Sequence, residues 1–433
     1  FKGISTDYKY DAGGNLVEKS SPGQSTTYEY NAKGLRSGMT DASGTTTYDY
    51  DDLGRLLTKS SPVGILTYTY TNSQVASVES SHGAKTEYVY DTLGRLKEVR
   101  DVHGRSTFYN YDAMGNVRSR VWPNGIAAEY SYDSLNRVTN ISCFKALQLV
   151  ARFGYTLGPT GIRLKETYTA PGGQETVGKF EYDLVDRLLK EITESPVLPQ
   201  RTITYAYDNV GNRLSRTADP ATARMPASSL YQHDVDDRLA SDGYDDNGNT
   251  ISGGLTRFDG TVYLVNDRYD NEDRLIDRDN GRIQIVYDGD GNRVMKTVNG
   301  VATFYLVDEN NPTGFPQVFE ELREVENASP EVFRFYTIGL GLISQEQQLN
   351  GQWKYHAFLQ DGRSNVRLLA DEQGTVTDEY QYDAFGILLG GHGFTPNNFL
   401  FAGEQFDGDL DLYYLRARYM EPDRGRFWSM DKY

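Results

Sequence analysis

Tyr48-Asp49-Tyr50-Asp51-Asp52-Leu53-Gly54-Arg55-Leu56 reads as the end of one strand, a tight turn and the start of a second strand. Two tyrosines two residues apart have the strand period, so both rings project from one face. Asp51 opens a turn whose backbone its own side chain can bond, and Gly54 supplies the positive φ that closes such a turn with a bulge. The unit recurs as YKYDAGGNL at 8–16, YEYNAKGLR at 28–36 and YVYDTLGRL at 88–96. Its second aromatic falls at Tyr10, Tyr30, Tyr50, Tyr70, Tyr90, Tyr111 and Tyr132, steps of 20 or 21 residues. A fixed period of this length marks a repeat architecture. A second strand follows each turn, and a second turn closes the repeat at Gly23, Gly44, Gly64, Gly83, Gly104 and Gly125. Each repeat is therefore one hairpin. Lone hairpins are marginal in water, so the repeats must pair edge to edge into a sheet with tyrosine ladders across the strands.

Composition agrees with an all-β class. The 433 residues include 33 Tyr and 43 Gly but only 14 Pro and 6 Met, which favours many short strands joined by turns. A formal net charge of -17 opposes nucleic-acid binding, which needs clustered Lys and Arg. The single cysteine, Cys143, excludes an internal disulfide framework and reads as a packed small hydrophobe. No apolar run reaches 18 residues and the first residues carry no basic-then-apolar leader, so no membrane insertion is expected. The chain begins inside a repeat and reads as a piece of a longer protein. At about 20 residues per hairpin it holds roughly 40 strands, about 190 Å of sheet at ~4.8 Å spacing, or about one turn of a ring ~60 Å across.

The regularity decays after about residue 140, where KALQLVARFGYTLGPTGIRLKETY (145–168) reads as a repeat with longer strands. FEYDLVDRLL (180–189), YAYDNVGNRL (205–214), DRYDNEDRLI (267–276) and IVYDGDGNRV (285–294) resume it, and RTADPATARMPASS (216–229) is the best loop candidate. From about residue 304 the strands lengthen and the turns lose uniformity. The segments at 304–321, 335–345, 356–386 and 401–431 resemble the Rhs repeat-associated core, and with the upstream units the chain resembles bacterial Rhs and YD-repeat proteins, a family that includes polymorphic toxins, insecticidal toxin C components and teneurins. This divides the chain into a YD-repeat hairpin array, 1–303, and a core truncated at its C-terminal end, 304–433. The resemblance implies a continuous spiralling sheet forming a partial or complete hollow shell. It also implies a secreted or cell-surface protein whose partner is a C-terminal effector (toxin) polypeptide or a shell-completing protein.

Near the end the family pattern resembles R-Y-Y-D-P-x-x-G-R-F-x-x-x-D-P. This chain carries Arg418, Tyr419, Met420, Glu421, Pro422, Gly425, Arg426, Phe427 and Asp431. Glu421 replaces the usual Asp and Lys432 the usual Pro. In many members this core is an aspartyl-type self-cleaving protease, which makes Asp431 the candidate catalytic residue. An aspartyl protease needs two carboxylates sharing a proton, and Asp431 can be at most one of them. The favoured reading is that Arg426 and Asp431 pair to lock the last strands, and that self-cleavage belongs to the longer parent.

No other chemistry stands out. His82, His103, His233, His356 and His392 are scattered among different repeats without metal-ligand spacing, and no metal or cofactor is expected. DGDGN (288–292) begins like a calcium loop, but Arg293 stands where that loop requires Gly and Asn299 where it requires a bidentate Glu. No G-x-S-x-G elbow occurs. The tyrosine stripe could stack on sugars or line a wall, and the wall is preferred. Three functions remain in competition: a non-catalytic shell that encapsulates or displays an effector, a cell-surface module binding glycan or protein, and part of an autoproteolytic core.

Overall fold

A computed structural model describes residues 3–257 and 259–430. Its regular structure is almost wholly strand, as the repeat requires. Twenty-one antiparallel strands, Asp7–Tyr10 to Ser228–Leu230, pair each with the next into a first sheet. Fourteen more, Gly243–Tyr244 to Leu388–His392, make a second, and four short ones, Gln405–Asp407 to Arg426–Phe427, a third. The ladder stops at Leu230 and restarts at Gly243, just beyond the segment expected to be a loop.

Each letter of the repeat has a structural task. In the turn at 51–55 the Asp51 carboxylate accepts from the Leu53 and Arg55 amides and from the Arg55 guanidinium. The Gly54 amide donates to the Asp51 carbonyl, with Gly54 at φ 79°. Where glycine is missing, Asn136, Asp186 and Asp273 take the same left-handed conformation, with φ of 58°, 63° and 61°; Asn and Asp are the L-residues that tolerate it best.

The second tyrosine sits at a bulge in the ladder, at Asp49/Tyr50, Thr69/Tyr70, Asn110/Tyr111 and Ser131/Tyr132. Its hydroxyl reaches back and donates to a main-chain carbonyl of the preceding repeat. Tyr30 bonds Leu16, Tyr50 bonds Arg36, Tyr70 bonds Leu56, Tyr90 bonds Val75, Tyr111 bonds Leu96 and Tyr132 bonds Val117, at 2.6–2.9 Å. The turn arginine completes the link by covering the next repeat's tyrosine, as Arg55 does Tyr70 at 4.7 Å and Arg95 does Tyr111 at 4.4 Å. The first tyrosine of the pair is buried instead: Tyr48, Tyr68, Tyr88 and Tyr109 are 1–5% exposed.

What buries them is the second sheet. Asn271 bonds Ser21, Glu272 pairs with Lys19, Asp290 with Arg36, and the Tyr68 hydroxyl donates to Asp308. Further along, Ser80 bonds Glu320, Arg120 the Leu342 carbonyl and Asn124 the Asp371 carbonyl. The two sheets thus run together in the same order. Between the Ser21–Asn271 and Glu191–Ala384 contacts, however, 170 residues of the first sheet face 113 of the second. The shorter path lies on the inside of a curve, so the second sheet nests within the first. The core they share joins Leu66, Tyr88, Ile126 and Phe153 to Leu306, Phe319, Ile343 and Leu368. The face of the first sheet that carries Tyr68, Tyr88 and Tyr109 is covered there by the chain's own second sheet. Sheet twist and coiling, left out of the ring estimate, turn the ladder back on itself sooner.

The tyrosine link gives a direct expectation. Tyr111→Phe leaves the Leu96 carbonyl without its donor and should cost about 1 kcal/mol in urea unfolding. Tyr10→Phe, at a residue 61% exposed, should be neutral within ~0.5 kcal/mol. Equal effects at the two positions would remove the hydroxyl from the account.

Candidate functional site

The segment 394–430 returns across both sheets. Phe399 packs on Tyr336, Phe358 and Leu369, and Leu410, Leu412, Tyr414, Tyr419 and Trp428 pack on Leu255, Leu275, Ile283 and Tyr287. The candidate motif forms its last hairpin, Tyr419–Glu421 against Arg426–Phe427. Pro422 is buried in the turn between them. Gly425 has φ 62°, and a Cβ there would stand 2.5 Å from the Phe385 ring, so glycine is needed both for the turn and for this approach.

Charged side chains make the motif a strap between the sheets. The Arg213 and Arg216 guanidiniums, from the first sheet, both donate to the Asp423 carbonyl at 2.9 Å, and Arg224 pairs with its carboxylate. Arg424 pairs with Asp242 at 2.6 Å and donates to the Gly254 carbonyl, at the start of the second sheet. Trp428 donates to Asp267, which holds the wholly buried Arg278 in a two-pronged pair, and Arg278 in turn donates to the Leu410 carbonyl. Tyr419 accepts from Arg293, and Arg418 covers the Phe427 ring at 3.6 Å. Removing one member of such buried pairs costs far more than an exposed ion pair contributes.

Glu421 is the exception within the strap. It is buried, its Oε2 has no hydrogen-bond partner, and burial pushes its carboxyl up to about 8, with Arg424 opposing. Arg426 donates to the Asp237 carbonyl at 3.4 Å; Asp431, its expected partner, lies outside the described residues. Beside the hairpin is a cavity of about 460 Å³, bordered by Arg213, Tyr231, His233, Tyr244, Arg424 and Met430. A second, of about 410 Å³, lies between Arg293, Lys296, Arg334 and Asp407. Such volumes suit a small molecule or a few residues of peptide, not a folded domain.

Sequence reasoning singled out the motif but missed Arg424, Asp242 and Asp423, since their partners lie up to 210 residues away. It also missed that His82 and His103 face buried Glu320 and Glu346 at 2.7 and 3.1 Å. Among the described residues no group of three or more His, Cys, Asp or Glu side chains is placed to hold a metal ion. No helix there is long and apolar enough to cross a membrane.

The raised Glu421 has a stability consequence. Its folded value, about 8, exceeds the ordinary ~4.3, so between these values the folded chain holds a proton that the unfolded chain has lost. Stability from this group is present below the lower value and lost as pH rises toward the upper one. Glu421→Gln, which mimics the protonated acid, should match the parent near pH ~4 and lose less stability by about pH 8.5 in urea titrations. Parallel pH profiles would show that Glu421 is ionised when folded.

Three comparisons place the fold. The RHS Repeat family model matches residues 10–46, 30–66 and 90–125, inside the first sheet. The chain is 31% identical over 264 residues to the tRNA3(Ser)-specific nuclease WapA of Bacillus spizizenii, covering 58% of this chain and 10% of that protein. It is 30% identical over 263 residues to the tRNA nuclease WapA of Bacillus subtilis, with the same shares. It therefore spans about a tenth of the length of these curated relatives. The crystal structure of TcdB2-TccC3 superposes on all of this chain, using 26% of its own, with TM-score 0.78 at 16% identity. At that identity the likeness is one of fold, and it extends from the YD hairpins through the C-terminal strap. The chain carries RHS repeats in its first sheet and has the fold of the Rhs/YD-repeat β-shell.

Proposed function

We propose that this chain is a non-catalytic section of Rhs wall that holds or displays an effector polypeptide, in a secreted or cell-surface setting. The observation carrying this reading is the strap: its charged pairs all join one wall element to another. The division at about residue 303 into a repeat array and a closing core belongs to the same reading. It is supported by the burial of strands beyond it, as in Leu342–Leu349, where six successive residues are buried, against the alternating burial of Gly44–Tyr50. The nuclease activity in the relatives' names is theirs; here it suggests only the kind of effector such a wall serves.

Since the second sheet covers the tyrosine face of the first, the effector's place is beside the strap, where Ser429 and Met430 border the 460 Å³ cavity, and any larger chamber needs further wall. The self-cleaving reading would require Asp431 and a second acid, for which Glu421, with one carboxylate oxygen left without a hydrogen bond, is the candidate. The glycan reading has less surface to use, because the first tyrosine of each pair, as at Tyr48, Tyr68, Tyr88 and Tyr109, is buried.

The test is to join an unrelated, protease-sensitive reporter peptide after Tyr433 and compare its digestion with that of the same reporter free. The intact wall should slow cleavage of the residues nearest the strap at least about tenfold, since digestion follows the exposed population. Arg424→Ala, which leaves Asp242 and Glu421 without their cation, should abolish that protection. Equal digestion with and without the intact wall overturns the reading.

A further inference from the structure

In the turns at 51–55, 91–95, 133–137 and 183–187 the fifth residue is an arginine whose guanidinium holds the second oxygen of the turn aspartate. Asn116 does the same for Asp112. The turn at 383–387, in the second sheet, keeps the rest of this geometry: the Phe385 and Ile387 amides donate to Asp383 Oδ1 at 3.0 and 2.7 Å. Its fifth residue, however, is Ile387, which is buried and has no side-chain donor. Asp383 is 4% exposed, and its Oδ2 has no hydrogen-bond partner among the described residues.

A second carboxyl stands beside it, from the other sheet. Glu191, in Leu188–Glu194 of the first sheet, is 5% exposed. Its Oε2 accepts from the Ala384 amide at 3.2 Å, one residue from Asp383, and its Oε1 accepts from the Tyr205 hydroxyl. Two carboxylates so placed repel when both ionise, and burial adds the cost of taking each charge out of water. Facing the pair are Tyr205, Arg213, Arg216 and Glu166. The two guanidiniums are directed to the Asp423 carbonyl of the strap instead. Burial, and then Asp383, pushes the Glu191 carboxyl up against the bonds from Tyr205 and Ala384. Burial likewise pushes Asp383 up, against the Ile387 and Phe385 amides and then the two arginines.

We propose that Glu191 and Asp383 form a proton-dependent latch between the two sheets: the pair keeps a proton while the 383–387 turn is seated on the first sheet, and losing it in alkaline solution unseats the turn. Acids held above their ordinary range take up a proton on seating. Their contribution is therefore full at low pH and is lost as pH rises through the seated values. The effect reaches the strap, because the Phe385 ring packs edge-on against Tyr205, lies 4.8 Å from the Arg213 guanidinium and closes against Gly425. An opened turn loosens the side of the strap that Arg213 holds. The latch is a property of this joint and does not depend on what the wall holds.

Amide hydrogen exchange of the whole chain, read by mass spectrometry from about pH 6 to about pH 9, tests it, each rate being divided by that of the unfolded peptide at the same pH. Protection of the 384–387 amides should fall at least about tenfold over this range, while that of Gly64–Thr71 in the shared core stays level. Glu191→Gln, which cannot ionise, should keep the turn protected throughout. Glu421→Gln, which removes the strap's own raised acid, should leave the fall in place. Tyr205→Phe keeps the ring on Phe385 but removes the hydroxyl that favours ionised Glu191, so its fall should come at higher pH. Level protection in the parent overturns the proposal, as does an equal fall in Glu191→Gln or a fall that vanishes in Glu421→Gln. Should Glu191→Gln not fold, the Tyr205→Phe shift decides, and a fall at the same or lower pH overturns the latch.

Discussion

The hydrogen bond from the second tyrosine of each repeat to a carbonyl of the repeat before it is the constraint on which the rest of the wall depends. A hairpin ladder alone fixes the distance between strands but leaves the join between hairpins to main-chain pairing, which can slip. The tyrosine removes that freedom. Its hydroxyl finds its carbonyl 14 or 15 residues back in the early repeats, and 19 back at Tyr182 and Tyr269, where the repeats are longer. The sequence period is thus the trace of a bond that closes in one repeat after another. The bulge beside the tyrosine follows from the same need, because it re-aims a side chain at the end of a strand.

Once the ladder is held in register, its curvature decides what else can happen. The first sheet presents Tyr48, Tyr68, Tyr88 and Tyr109 on one face, and the second sheet covers them along a shorter path. Buried charge accompanies this contact: Glu320 and Glu346 of the second sheet lie buried and bond Ser80, His82, His103 and Arg105 of the first. Replacing such groups by carbon could serve stability as well. Their directional bonds, however, permit only one alignment of two long and repetitive surfaces that could otherwise slide by a repeat. We read the polar seam as the device that selects that alignment.

Much of this was legible in the sequence, and the line between the legible and the hidden has a physical cause. Asp51, Gly54 and Arg55 act within five residues, so their roles could be read from spacing. Tyr10, Tyr30 and Tyr50 were recognised as a period, although their hydroxyl bonds were not foreseen, because a tyrosine's partner is not written in its neighbours. The nesting was invisible: Ser80–Glu320 and Arg36–Asp290 join residues 240 and 254 apart, and nothing local in either repeat names the other. At the candidate site, Tyr419, Gly425 and Arg426 were found by resemblance. Arg424, which holds the start of the second sheet, was not, because one arginine among several has no local mark of its burial.

The strap explains why the end of a repeat protein abandons the repeat. A ladder of identical hairpins has no intrinsic stopping point, and its last strand would leave an unpaired edge. After Leu388–His392 the chain instead spends its final described residues crossing the sheets, tying Arg213 and Arg216 on one side to Asp242 and Gly254 on the other. These attachment points lie on either side of, and at the end of, residues 231–242, where the ladder is interrupted. The strap therefore bridges the one gap between the two large sheets, and it needs irregular backbone to do so. Longer strands, nonuniform turns and the compact RYMEPDRGRF hairpin follow from that requirement, as the regular turns follow from the tyrosine bond.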